Sequence, residues 1–365
     1  MNELNGYDLG VERRGDEAGD FPLGEGSRVI PASPETEGAA YQALGPDQVL
    51  DALEGLGWRC DGRLLALNSY ENRVYQVGVE DGSPVIAKFY RPGRWTDAAI
   101  LEEHAFSREL AARDIPAVPP LEDAAGATLH HAGAYRVAVY PRRGGRAPEL
   151  ERLDNLEVLG RHMGRIHAMG AVRGFRHRPT LSVESFGERS RAFLLAGDWL
   201  PADLLAAYES VSRDALERVR LCWERAGDHA PIRLHGDAHP GNILWRDDAP
   251  HFVDFDDARM GPAVQDLWMF LSGDRPERTA QLDAILEGYG AFLPFPMNQR
   301  HLIEALRTLR IMRHTAWIAR RWDDPAFPQA FPYFNEQRYW QEHILSLREQ
   351  IAAMDEPPLS CGAFG

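Results

Sequence analysis

Two short stretches in the second half of the chain hold the residue types that phosphoryl transfer requires. In His235-Gly236-Asp237-Ala238-His239-Pro240-Gly241-Asn242 an Asp and an Asn stand five residues apart, after an apolar run. In Val253-Asp254-Phe255-Asp256-Asp257 a further Asp follows twelve residues after that Asn. A carboxylate can orient an attacking hydroxyl and accept its proton. An amide oxygen and a second carboxylate can hold Mg2+ against nucleotide phosphates. The H-x-D spacing with Asn five residues on, and an Asp where the D-F-G aspartate stands, is the arrangement of a kinase catalytic loop. His235 and His239, four apart, would suit zinc on a helix, but Gly236, Pro240 and Gly241 forbid one, so a packing role for His235 is expected.

Lys88 is the only lysine among the 40 basic residues; every other one is arginine. Lysine is a compact point charge on a flexible stem, so a lone exception marks a place where guanidinium does not serve. It sits in the apolar run Pro84–Tyr90, as the lysine of the kinase V-A-I-K strand does, where it neutralises the α- and β-phosphates and pairs with a helix carboxylate. That carboxylate is expected from Glu102 or Glu103 on the helix read over residues 97–113. Glu103 is preferred, because it stands seven residues before Leu110 and so on a similar face.

The elements that must carry these residues change character along the chain. Residues 1–42 are rich in Gly, Glu, Asp, Pro and Ser and read as a disordered extension. A helix is expected over 46–57. Strands follow at 63–68, 73–79, 84–90 and 135–140, and two glycines in Pro141–Arg146 suggest a hinge. Helices are expected over 153–168, 202–225, 263–272, 279–292, 299–322 and 336–353, with a short strand and a hairpin between them around the two Asp-bearing stretches. The order β-rich then α-rich predicts an α+β, two-lobe, protein-kinase-like fold. Its nucleotide-binding lobe spans 43–141, its catalytic lobe 142–359 and a tail 360–365.

Composition narrows the class. A hydrophobic fraction of 44% with 26% charged residues describes a globular chain. No run of 18 apolar residues occurs and no apolar leader opens the chain, so neither a membrane span nor secretion is expected. A net charge of −15 argues against a nucleic-acid partner, and three widely spaced cysteines fit a reducing cytoplasm. The oligomeric state is not readable; a monomer is the working expectation.

The segments LNSYENRVYQ, VIAKFYRPGRW, ILEEH, RLHGDAHPGNILWR, FVDFDDARMGPAVQDLWM and RRWDDPAFP together resemble the stress response kinase A family, within the aminoglycoside phosphotransferase and choline kinase superfamily. The resemblance runs over about residues 44 to 359. It implies a cytoplasmic, ATP- and Mg2+-dependent serine/threonine protein kinase of a bacterial stress response. It also implies roles: Asp237 as catalytic base, Asn242 and Asp254 on Mg2+, and Ser69 on the ATP phosphates beside Lys88 and Glu103. Two departures stand out. The turn Asn68–Arg73 has no G-x-G-x-x-G, so Ser69 either covers phosphates or belongs to a plain polar turn. Asp256 replaces the glycine of D-F-G, where it either adds a metal contact or faces solvent. Asp266 is expected to brace the catalytic-loop backbone. Arg142, Arg143 and Arg146 either contact an acidic peptide or form a solvated basic loop, the more frequent case, and Arg310, Arg313, Arg320 and Arg321 with Trp317 and Trp322 either line a substrate cleft or, as helix-spaced aromatics more often do, belong to the core. A metabolite kinase with the same catalytic set, and a nucleotide-binding regulator without turnover, are the competing classes.

Overall fold

The apolar run that carries Lys88 forms the middle strand of a sheet. A computed structural model describes residues 41–362, so the expected extension lies outside the described residues apart from its last two. One of those, Tyr41, is buried, and its hydroxyl donates to Glu71 O at 3.1 Å. By compactness the described chain divides into two units. The first runs to Pro148 and takes in Gly241–Asp256; the second comprises Glu149–Pro240 and resumes at Asp257.

In the first unit, helix α1 (Pro46–Gly55) precedes strands β1 (Cys60–Leu67), β2 (Arg73–Val79) and β3 (Val85–Phe89). Helix α2 (Asp97–Ala111) and strands β4 (His130–Ala132) and β5 (Tyr135–Pro141) follow. The five strands make an antiparallel sheet in the order β1-β2-β3-β5-β4, with β3 flanked on both sides. Successive side chains of a strand point to opposite faces. Ala87 and Phe89 therefore join Val49 and Leu53 of α1, Val77, Val137 and Val139 in one core. Tyr90 joins Ala138 and Ile100 of α2 in another. Lys88 pairs in register with Val74 on one side and with Ala138 on the other, which sets it on the second face. Thr96 caps α2 by accepting the Ala99 N–H at 3.2 Å, and α2 buries Ile100, Glu103, Phe106 and Leu110 at helical spacing.

Strands β6 (Ile232–Leu234), β7 (Ile243–Arg246), β8 (Ala249–Phe252) and β9 (Arg259–Gly261) lie in the second half of the chain. β7 and β8 form a hairpin whose two loop residues, Asp247 and Asp248, both have positive φ (51° and 59°). That conformation matches the twist of a two-residue hairpin, and short polar side chains tolerate it. The hairpin belongs to the first unit through backbone bonds at both strands. Val118 N–H donates to Phe252 O (2.9 Å), and Arg146 and Trp245 exchange N–H···O bonds of 3.1 and 2.6 Å. The same pairing carries the first unit past the expected lobe boundary at 141/142.

The second unit holds α3 (Leu153–Gly170), α4 (Arg189–Ala196), α5 (Leu205–Ala226), the β6–β9 pair, α6 (Arg275–Gly290), α7 (Ile303–Arg320), α8 (Ala326–Ala330) and α9 (Gln337–Asp355). α3 and α6 meet backbone to backbone. A Cβ on Gly160 would lie 2.0 Å from Ile285 O, and one on Gly288 would lie 2.0 Å from Glu157 O, so only glycine fits either site. Trp340 of α9 is fully buried against Tyr208 of α5, with ring centroids 6.2 Å apart.

One expected helix is absent. Residues 263–272 form two 3₁₀ turns, Ala263–Asp266 and Trp268–Phe270. The reason is local competition: Pro262 opens the segment, Gln299 Oε1 takes the Val264 N–H at 3.1 Å, and the Gln265 and Asp266 side chains bond another loop.

Candidate active site

The first unit brings together two of the sequence-predicted residues that stand twelve apart. Asn242 and Asp254 flank the β7–β8 hairpin, whose register pairs Ile243 with Phe252. The ladder continues one step further: Val253 N–H donates to Asn242 O at 3.0 Å. The hairpin is thus a spacer that returns the chain to its starting point. Asp254 follows in the left-handed region (φ 59°) with its side chain half exposed.

Lys88 Nζ lies 2.7 Å from Asp254 Oδ1 and 3.5 Å from Asp256 Oδ1, and it is buried. Burial alone would lower its pKa, but the Asp254 and Asp256 carboxylates outweigh it and hold the ammonium charged well above its usual range. Of the two candidate glutamates, Glu103 is the buried one, and its charge also acts on Lys88; Glu102 is only half-buried. Ser69 lies in the β1–β2 connection. The registers Arg73 with Phe89 and Val74 with Lys88 put that connection at the Lys88 end of β3. Without glycine, the connection is held from outside. The Arg91 guanidinium donates to Glu71 O (2.8 Å) and Tyr70 O (3.0 Å), and Asn72 Oδ1 accepts the Arg91 N–H at 3.2 Å.

Asp256 does not face solvent; it is 3% exposed. Its Oδ2 accepts from Asn72 Nδ2 at 3.0 Å and from the Arg94 guanidinium. It therefore ties the end of the Ser69 turn, the segment after β3 and Lys88 to one carboxylate. A glycine at this position has no side chain to do so. Sequence reasoning missed Asn72 and Arg94. The signal was present, since Asn72 belongs to the quoted turn and Arg94 follows Lys88 by six residues.

In the second unit, Asp237 sits in the loop after β6. Asp266 braces that loop through the backbone, as expected: Oδ2 accepts the His235 N–H at 2.7 Å and Oδ1 the Gly236 N–H at 2.8 Å. His167 Nε2 lies 3.1 Å from Asp266 Oδ2, and Gln265 Nε2 donates to Gly236 O at 3.1 Å. Gly236 has φ 85°, and a Cβ there would lie 2.1 Å from Asp257 O, so the loop requires glycine on two counts. His235 is fully buried, and its Nδ1 lies 3.4 Å from the Asp237 amide that points to it. The Asp237 carboxylate is paired with the Arg310 guanidinium of α7 and has His239 Nε2 at 3.6 Å. Burial pushes its pKa up, yet Arg310 and then His239 prevail and hold it below the ordinary carboxylate range. Asp257 is paired with Arg259, and with Arg313 at 3.3 Å. Arg310, for which a substrate cleft and helix packing were both open, is a partner of the predicted base.

The donor set suits a hard cation that carries its own ligands. Asn242 and Asp254 offer an amide and a carboxylate oxygen at neighbouring ends of the hairpin, and Mg2+ is held by one or two protein oxygens plus phosphates. Among the described residues no three His, Cys, Asp or Glu side chains cluster as a metal site. The three cysteines are free, and no helix among the described residues is long and apolar enough to cross a membrane.

Residues 63–303 match the phosphotransferase enzyme family. Stress response kinase A of Escherichia coli (strain K12) is 44% identical over 319 residues, covering 87% of this chain and 96% of that one. The chain belongs to the stress response kinase A family of phosphotransferases. A further relative, the serine/threonine protein kinase RdoA of Salmonella typhimurium (strain LT2), is 43% identical over the same length. Among solved structures, the amicoumacin kinase hAmiN in complex with AMP-PNP, Ca2+ and Ami is similar, with a TM-score of 0.69 at 18% identity over 88% of this chain and 97% of that one. The α+β fold with a five-stranded antiparallel sheet and a helical second part is that of the aminoglycoside phosphotransferase-like kinases.

Proposed function

We propose that this kinase transfers the γ-phosphate of ATP to serine or threonine of a protein, with Mg2+ as the metal, in the cytoplasm and as part of a stress response. The observation that carries the reading is the Lys88–Asp254 ion pair of 2.7 Å beside the Asn242 end of the hairpin. The names of the relatives at 43–44% identity support the serine/threonine specificity and the stress context.

In this reading Lys88 leaves Asp254 for the nucleotide phosphates, and Asp256 keeps the ammonium oriented. Asn242 and Asp254 hold the metal, which when bound neutralises phosphate charge. Ser69 covers the phosphates from a connection that Arg91 and Asn72 fix in place. Asp237 receives the proton of the acceptor hydroxyl, its backbone held by Asp266.

Radiolabelled ATP with a generic protein substrate tests the proposal. Wild type should label protein in the presence of Mg2+. Lys88→Met and Asp254→Asn should each lower kcat/KM for ATP by about a hundredfold, the scale of losing one preorganised charge contact. Absence of transfer by wild type, or full transfer without Lys88, would refute it. A metabolite kinase is the second reading, favoured by the likeness to amicoumacin kinase. Phosphorylation of a metabolite panel without protein labelling would select it.

A further inference from the structure

One helix of the second unit presents basic side chains to the predicted base. Arg310, Arg313, Trp317 and Arg320 recur along α7 at steps of three and four, a single stripe. Arg310 is paired with Asp237, Arg313 lies 3.3 Å from Asp257, and Arg259 also pairs with Asp257. Arg313 and Arg259 lie over the Phe186 ring at 4.1 and 4.9 Å, and Arg320 over Phe193 at 4.7 Å. The pairing does not hide the charges: the Arg310 and Arg313 side chains remain 42% and 35% exposed, and Arg320 is exposed. His314, between them, has its pKa pushed down to about 4 by burial and then by Arg310, so it adds no charge at neutral pH. Three guanidinium groups thus face the Asp237 and Asp257 carboxylates, and Arg320 extends the stripe over Phe193, in a chain whose net charge is −15. The local sign is opposite to that of the whole chain.

Resting on the reading above, we propose that Arg310, Arg313 and Arg320 select the acceptor: a Ser or Thr hydroxyl flanked by acidic side chains in an extended peptide. An acceptor carrying an amine beside its hydroxyl meets Arg310 with like charge. The peptide is favoured over a small anion by length. Ten residues of helix from Arg310 to Arg320 rise about 15 Å, the span of roughly four to five extended residues. Arg310 engages Asp237 Oδ1, so the acceptor hydroxyl donates its proton to Oδ2. As it does so, the hydroxyl oxygen forms a bond to the γ-phosphorus. The bond from that phosphorus to the bridging oxygen breaks, and ADP leaves with the electron pair.

The test uses the full chain with Mg2+ and ATP and three peptides of equal length with a central Ser, flanked by Glu, Ala or Lys. Binding is read separately, by anisotropy of labelled peptides with Ala in place of the Ser. The Glu peptide should exceed the Lys peptide at least tenfold in kcat/KM and in affinity, chiefly through KM. Arg313→Gln and, independently, the exposed Arg320→Glu should each weaken the Glu peptide about tenfold, the latter at unchanged melting temperature, while Arg313→Lys keeps the preference. Equal or better use of the Lys peptide overturns the selection but leaves the protein-kinase reading intact. Transfer to glycerate in preference to 1-amino-2-propanol, with no peptide bound or labelled, overturns the peptide. Transfer to 1-amino-2-propanol alone overturns both.

Discussion

The two carboxylate sets are fixed by opposite means. Around Lys88, charge meets charge: Asp254 and Asp256 face an ammonium, and Asp256 also holds Arg94 and Asn72. Around Asp237 the carboxylate also meets a cation, Arg310, but the loop that carries it is fixed through backbone, with Asp266 accepting two consecutive N–H groups at 2.7 and 2.8 Å. The first arrangement is exchangeable. In the proposed reading the half-exposed Asp254 passes from Lys88 to a cation while the buried Asp256 retains the ammonium. The second is a clamp on chain geometry and has no reason to move when nucleotide binds.

Four measurements would break or sharpen this contrast. Asp237→Asn should remove the proton acceptor and lower kcat by about 10³-fold, with the melting temperature nearly unchanged, since Asp266 rather than Asp237 holds the loop. A kcat within tenfold of wild type contradicts the assignment. Asp256→Asn should destabilise the protein by about 3 kcal/mol in urea unfolding, because Lys88 and Arg94 lose a buried countercharge, and KM for ATP should rise with it. No change in either would mean the network is incidental. Asp266→Asn should destabilise by about 2 kcal/mol, as a bidentate anionic acceptor of two amides is replaced by a neutral one. It should lower kcat while nucleotide affinity stays near wild type; a fall in ATP affinity equal to that of Asp256→Asn would erase the distinction between the two sets. Smallest is a pH effect. Asp237 is held below the ordinary carboxylate range, with Arg310 the main lowering influence, so the acidic limb of kcat/KM should lie below about pH 4. Arg310→Gln removes the positive neighbour, favours the protonated acid and should move that limb upward. A downward move would contradict the ion pair.

Much of this arrangement was legible in the chain. The lone lysine in an apolar run, and Asp, Asn and Asp at spacings of five and twelve, are covalent facts that pointed to one chemistry. Bracing by Asp266 could be read from its family motif, but the helix expected around it could not. Its apolar spacing is helical, while its side chains are committed to another loop and to Gln299. Asp256 was ambiguous for a different reason. A carboxylate's environment depends on which cations come near it, and Asn72 lies 184 residues away in the chain. Arg310 stayed open between packing and a substrate cleft because helical spacing marks a face and says nothing of what that face meets.

The sequence by itself determined the residue types, their order and the strand and helix periods, because these follow from covalent spacing and side-chain polarity. Tertiary structure alone decided that Asp256 is buried among cations. It also decided that Arg310 faces the predicted base. Those are long-range pairings, set by packing and by the requirement that every buried charge find a partner, and no local pattern encodes them.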